Sequence, residues 1–566
     1  MELTSNGKKV LETRYLLKND EGKIIESPEQ MLRRVADTVA EAETNNKVEW
    51  SNKFYDIMDN LRFLPNSPCL FNAGKKNQML SACFVLGVPD DLEGIFNTLR
   101  DSALIQKAGG GCGYSFSHLR PKNDLIASTK GTSSGVVSFM RVFDVMADVI
   151  KQGGVRRSAQ MAILRVDHPE ILGFIHAKSD EHILNCFNIS VGVTDAFMDA
   201  VKNNGEYDLV NPRNNQVSGK LQAREVFKEI ARQAWSNGEP GLVFLDTVNK
   251  GNPTPGIGVI ESTNPCGEQP LLNGESCNLG SINLSKFLLP SGLIDYVDLE
   301  KVTRVAVRFL DDVIDVNSYP LPKIREMTLG NRKIGLGVMG FADLLYMMNI
   351  PYVSEQGLQV ADKVMGFINK VALDESNKIS EEKGVFPNWP KSIYADSIKL
   401  RNATVTTIAP TGSISIIAGC SSGVEPLFSL IYERHILDRQ VFLEVNPIFK
   451  KYLVENFSID EVNLIMSKVS ENGSCQRIDR IPIGKRQVFV TALDIRPEYH
   501  VRMQAVFQRN ISNAVSKTVN MPNSSTVKDV EDIFMLAYEL KCKGITVYRD
   551  KSRSIQVLTA GDKKND

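Results

Sequence analysis

The chain has 566 residues, 42% of them hydrophobic, enough to bury a large core in one domain or several. Lysine plus arginine (66) balances aspartate plus glutamate (67), and a net charge of -1 gives no footprint for nucleic acid or a membrane surface. No run of about 18 apolar residues occurs and the opening MELTSNGKKVLETRYLL lacks an apolar signal core, so a cytoplasmic protein is expected.

Ser27-Pro28-Glu29-Gln30 combines an N-cap, a proline at the first helical position and a capping-box glutamine, which predicts a helix to about Glu43. A second amphipathic segment covers Phe54 to Leu61, giving a small helical region over 1–61. From Leu64 onward short apolar strands alternate with helical periods, the pattern of a mostly parallel α/β architecture over 62–566. Cys83 lies in the strand-like run Leu80 to Gly87, where a cysteine by itself reads as a core thiol. A helix over about 92–107 stops at three glycines, with Asp91, Lys107 and Arg120 around it. Phe139, Val142, Phe143, Met146, Val149 and Ile150 fall at helical spacing before Gly153-Gly154. Strands are predicted at 159–166, 187–193 and 242–245, and helices at 194–204 and 223–235. Thr411, Gly412 and Ser413 follow the strand-like ATVTTIA, and such a turn presents backbone N–H groups and hydroxyls to a phosphate.

The chemistry concentrates in ESTNPCGEQPLLNGESCNLGSINL, Glu261 to Leu284. Pro265 pushes Asn264 out of the helical region and Gly267 with Pro270 disfavours a helix, so Asn264 to Glu268 is predicted as an extended loop. Alternate side chains of an extended chain share one side. Asn264, Cys266 and Glu268 would then converge as an amide, a thiol and a carboxylate, with Cys277 a second thiol that could return to the same place. The nine cysteines are odd in number, scattered and without CxxC, and the six histidines are dispersed, so most thiols are expected to be reduced and no structural metal site is expected.

This stretch resembles the active-site finger loop of ribonucleotide reductase catalytic chains. Further matches follow in order: LPNSPCLFNAG (64–74), LSACFVLG (80–87), QKAGGGCGYSFSHLRP (106–121), SFMRVFDVM (138–146), KQGGVRR (151–157), APTGSIS (409–415), GVEPLF (423–428), SKTVNMP (516–522) and GITVYRD (544–550). The details look most like the adenosylcobalamin-dependent, class II branch.

The resemblance implies a ten-stranded α/β barrel of two five-stranded halves with the finger loop inside. It implies thiyl-radical reduction of ribonucleotides, diphosphates in preference, with adenosylcobalamin as cofactor. Cys266 would carry the radical, Glu268 would be the general base, and Asn264 would fix the substrate's hydroxyls. Cys83 and Cys277 would supply two electrons and end as a disulfide, which needs their Cα atoms within roughly 7 Å. Ser67, Ala82, Gly109, Gly111, Pro410, Thr411, Gly412, Ser413 and Ile414 match positions that contact the substrate. Asp91, Lys107, Arg120, Gly154 and Arg156 match a site for a deoxynucleotide triphosphate effector at the interface of a homodimer. Ser158 and Cys112 depart from the residues usual there, glycine and threonine, which leaves the specificity rules open.

Near the C-terminus Tyr548 stands alone where class I relatives carry two adjacent tyrosines. After Val557 comes only LTAGDKKND, without the cysteine pair that relatives use for re-reduction, so the expectation is either a longer natural chain that carries the pair or a thioredoxin-like or small dithiol reductant acting directly. There is likewise no room ahead of the helical region for the nucleotide-sensing cone domain that family members often carry. A class I chain needing a radical-generating subunit and a non-catalytic nucleotide-binding regulator are the alternatives.

Overall fold

The computed structural model describes residues 1–126, 130–150, 158–180, 182–436, 440–553 and 558–559. Five parallel strands form one half of a barrel: β1 (Cys83–Gly87), β2 (Gly111–Ser115), β3 (Gln160–Arg165), β4 (Phe187–Val193) and β5 (Gly241–Phe244). The other half begins with β6 (Ser276–Asn283) beside a parallel β7 (Ile334–Met339) and ends with β8 (Thr518–Met521) beside a parallel β9 (Gly544–Arg549). Between these pairs runs the segment 404–408. It is bridged in parallel to β7 at Leu336–Thr406 and to the chain leading into β8 at Ile408–Val515.

That segment completes the ring. The halves meet antiparallel at two seams, β6 with β1 through Cys277–Cys83 and β5 with β9 through Leu242–Ile545. Each of the ten staves then has a neighbour on both sides, and no barrel edge is left open. The short strand Phe63–Pro65 pairs with the far end of β6, outside the ring. The expected ten-stranded α/β barrel of two five-stranded halves is therefore the observed fold.

Local signals account for many of the elements. The helix Pro28–Ala40 carries the predicted reciprocal cap between Ser27 and Gln30. The next helix, Lys47–Asp59, starts well before Phe54, because its first turns keep a polar outer face and only Ser51, Phe54, Ile57 and Met58 are buried. These helices dock on the barrel's outer layer, where Phe309 meets Phe54 and Phe63 edge-on at 5.2 and 5.4 Å. Every residue of β6, SCNLGSIN, is buried although half of them are polar, as a stave lined on both faces requires. No helix among the described residues is long and apolar enough to cross a membrane.

Candidate active site

Inside the barrel, Ser262–Thr263 and Pro270–Leu271 pair as a short antiparallel hairpin. Its tip is not the extended loop expected from the sequence. The Gly267 N–H donates to the Asn264 carbonyl at 3.1 Å, and Gly267 adopts φ 81, so 264–267 is a closed turn. The Asn264 side chain also accepts from the Gln269 N–H at 3.0 Å. The backbone is a turn and not an extended strand, yet Asn264, Cys266 and Glu268 still gather around one thiol, Cys83, which Asn264 hydrogen-bonds and which feels both Cys266 and Glu268. Asn264 and Glu268 are each 2% exposed, whereas Cys266 is exposed.

The hairpin is held from both halves of the barrel. Asn188 of β4 donates to the Pro265 carbonyl at 2.9 Å. From the opposite half, the Thr407 hydroxyl and the Ala514 N–H donate to the Glu268 carbonyl at 2.9 and 3.0 Å. A Cβ at Gly113 of β2 would stand 1.7 Å from the Thr263 carbonyl oxygen, so the base of the hairpin passes where only glycine leaves room.

Behind the tip lie two thiols. Asn264 Nδ2 donates to Cys83 Sγ at 3.2 Å, and Cys83 faces Cys277 directly across the β1–β6 seam. Directly opposite residues of an antiparallel pair have Cα atoms about 4.5–5.5 Å apart, inside the limit for a disulfide. Burial pushes the Cys83 thiol well above its usual pKa, and the nearby Glu268 charge adds to this; burial also raises Cys277, against the opposing pull of Lys333. Both groups are thus held as protonated thiols. In front of the tip, Cys266 opens onto a cavity of about 1140 Å³ that runs along the hairpin, with Pro410 on its wall.

Thr411 takes φ 53 and its hydroxyl accepts from the Gly423 N–H at 2.7 Å, fixing the Thr411-Gly412-Ser413 turn ahead of the short helix Ile414–Ala418. Ser67 shares a 2.7 Å hydrogen bond with Tyr15, which caps the C-terminal end of the helix Ser5–Arg14, a contact without a sequence signal. Ala82 and Gly111 join β1 to β2, the Gly111 N–H donating to the Ala82 carbonyl at 2.9 Å, and Gly109 adopts φ 102 just before.

Of the expected effector residues, Asp91 caps the helix Leu92–Lys107 by accepting from the Gly94 N–H at 2.7 Å. Lys107 is exposed at the other end of that helix, and Arg120 is engaged by Asp90 at 2.9 Å. Gly154 and Arg156 lie outside the described residues.

Sequence reasoning passed over a buried polar knot on the cavity wall. Lys517, fully buried, donates to Glu425 Oε2 at 2.5 Å and lies 3.0 Å from His500 Nδ1, and the Thr518 N–H donates to Glu425 Oε1 at 2.6 Å. The motifs GVEPLF and SKTVNMP hold Glu425 and Lys517, but nothing local joins them. Asp311, Asp312 and Asp315 also cluster, and Arg332, Arg401 and Lys383 neutralise them.

Comparison with known proteins adds the family. The model "Ribonucleotide reductase, barrel domain" matches residues 81–548, and "Ribonucleotide reductase, all-alpha domain" matches residues 1–78. A vitamin B12-dependent ribonucleoside-diphosphate reductase of Thermoplasma acidophilum is 48% identical, over 99% of this chain and 81% of the relative. One of Mycobacterium tuberculosis is 48% identical over 98% and 80%. The Actinobacillus ureae class Id ribonucleotide reductase alpha subunit shares the fold, with a TM-score of 0.80 at 23% identity over 97% of each chain. With the hairpin, the facing thiols and the closed ten-stave barrel all in one chain, this protein belongs to the ribonucleotide reductase family as a catalytic chain.

Proposed function

We propose that this chain reduces ribonucleotides, diphosphates in preference, to 2′-deoxyribonucleotides by a thiyl-radical mechanism that depends on adenosylcobalamin. The observation that carries this reading is the hairpin tip. Cys266 lines a cavity of about 1140 Å³, and Asn264, two residues away, holds Cys83. That volume exceeds the roughly 300–1,000 Å³ of most small-ligand sites and suits a cofactor of cobalamin's bulk. Met161, Leu427, Phe428 and Val547 of its wall would hold the cofactor. The names of the two 48% identical relatives support the same cofactor and diphosphate substrates. When bound, adenosylcobalamin supplies the one-electron oxidising equivalent that removes the hydrogen atom from Cys266.

Cys266 then takes the ribose 3′-hydrogen, and Glu268 accepts the 3′-OH proton as general base. Cys83, kept protonated by burial, gives its proton to the departing 2′-OH, which leaves as water. Cys83 and Cys277 furnish two electrons and become a disulfide, the second thiol's proton completing C2′; Glu268 returns its proton to the 3′-oxygen, Cys266 gives the hydrogen atom back to C3′, and Asn264 steadies the hydroxyls. Thr411, Gly412, Ser413 and Ile414 receive the substrate's phosphates, and Ser67 contacts the same nucleotide.

A thioredoxin-like or small dithiol restores the two thiols, in a cytoplasm where thiols stay reduced. The active form is a homodimer, for which the exposed stripe of Leu92, Phe96, Val142, Val145 and Val149 on two adjacent helices is the support. A deoxynucleotide triphosphate effector binds at this interface near Asp91, Lys107 and Arg120. The test is turnover of ADP, CDP, GDP and UDP by the purified chain with a dithiol, with and without adenosylcobalamin. Reduction only in its presence is expected; activity that ignores the cofactor and needs a second protein subunit would overturn the reading in favour of class I.

A further inference from the structure

Away from the solvent-exposed Lys450, the cavity beside Cys266 carries one cation on its wall that no carboxylate matches among the described residues. Lys543, immediately before β9, donates to the backbone carbonyls of Ser512 at 2.8 Å and Asn513 at 2.7 Å. An ammonium has three N–H donors, so one is left over. The other charged groups of the wall are accounted for. Lys517 is paired with Glu425 at 2.5 Å, and Glu239 with Lys178 at 2.5 Å and Arg553 at 3.3 Å. Asp343 accepts from the Ser421 N–H at 2.6 Å and from Asn446 at 3.0 Å, and Lys450 is exposed to solvent. Behind Lys543, Lys333 is neutralised by Glu275 at 2.7 Å. Burial first, and the Lys333 charge second, depress the Lys543 ammonium to about 8, the sign of a place short of negative charge.

We propose that Lys543 is the anchor for the phosphodiester of the bound cobalamin, an inference that rests on the cavity being the cofactor's. The corrin periphery of a cobalamin presents neutral amides, and the phosphodiester of its nucleotide loop is its one anionic group. An unmatched buried cation on the wall complements it, and a charge-assisted hydrogen bond there would be among the strongest polar contacts available. A nucleotide phosphate offers the same chemistry, so the test separates the two sources.

Equilibrium dialysis of the full chain and of Lys543→Gln would use four probes: adenosylcobalamin, adenosylcobinamide, adenosylcobinamide phosphate and CDP. Adenosylcobinamide lacks the phosphate and the base, and its phosphate ester restores only the former. The expected result is a loss of affinity of about tenfold or more for the two phosphate-bearing corrinoids. Affinity for adenosylcobinamide and for CDP should be unchanged, which also shows that the variant's cavity is intact. Equal weakening of all three corrinoids, no weakening, or weakening confined to CDP overturns the assignment. A wild-type chain that binds no corrinoid overturns the cobalamin reading itself, a distinct outcome.

Discussion

Cys83 and Cys277 face each other across the seam where the two half-barrels meet antiparallel, and Asn264 at the hairpin tip donates to the first of them. The electron-donating pair of the proposed reaction therefore belongs to the rigid barrel wall, not to a loop. One turnover without external reductant should convert both thiols to a disulfide, mapped by differential alkylation and mass spectrometry. Recovery of both as thiols after a stoichiometric turnover would rule the pairing out.

Cys266→Ser should reduce turnover to background while leaving the fold intact, because Cys266 is exposed at the tip and its replacement opens no core cavity. Exchange of label between the cofactor's 5′-carbon and solvent should disappear with it. Deoxynucleotide formation by this variant would contradict a thiyl radical at that position.

Gly113→Ala tests the close passage of the hairpin. With a Cβ built 1.7 Å from the Thr263 carbonyl, either the hairpin or β2 must shift. A destabilisation of about 1–3 kcal/mol is expected in thermal or denaturant unfolding, together with a fall in kcat larger than any change in effector binding. Wild-type stability and activity would mean that the hairpin does not run there.

Val145→Asp places a charge in the exposed apolar stripe of the helix Val136–Val149. Light scattering should show a dimeric wild type and a monomeric variant, and, with the proposed effector site at that interface, any dependence of substrate preference on dTTP, dATP and dGTP should vanish with the dimer. A variant that stays dimeric would move the interface elsewhere.

Glu43 joins the N-terminal helical region to the barrel's outer helices through Arg308 at 2.7 Å and Lys383 at 2.9 Å. Burial alone would raise its pKa, but the hydrogen bonds from Arg308 and Lys383 outweigh it and hold the carboxyl well below its ordinary 4.5. A depressed carboxylate stabilises the fold above its unfolded pKa and loses that contribution as the pH falls through the folded one. Stability of the wild type should thus drop as the pH falls below about 4.5. Glu43→Gln should be less stable at neutral pH by about 3–5 kcal/mol and show a flatter acid limb in the same titration.

Much of the chemistry could be read from the sequence because its residues are close together in the chain. Asn264, Cys266 and Glu268 occur within one short stretch, and the cap Ser27–Gln30 and the helix Leu92–Lys107 obey local rules of capping and periodicity. The family motifs extended that reading to the barrel, since parallel staves alternate with helices in a recognisable order. Tertiary structure alone decided the rest. The stave 404–408 has no regular ladder of its own and becomes part of the ring only through β7 on one side and Val515 on the other. A closed turn at Gly267, in place of an extended chain, gathers Asn264, Cys266 and Glu268 around Cys83 while leaving only Cys266 exposed. Lys517 meets Glu425 and His500, and Lys543 faces the cavity of Cys266, only once the barrel has closed. Contacts between residues far apart in sequence are made by ring closure and desolvation, and neither leaves a local pattern in the chain.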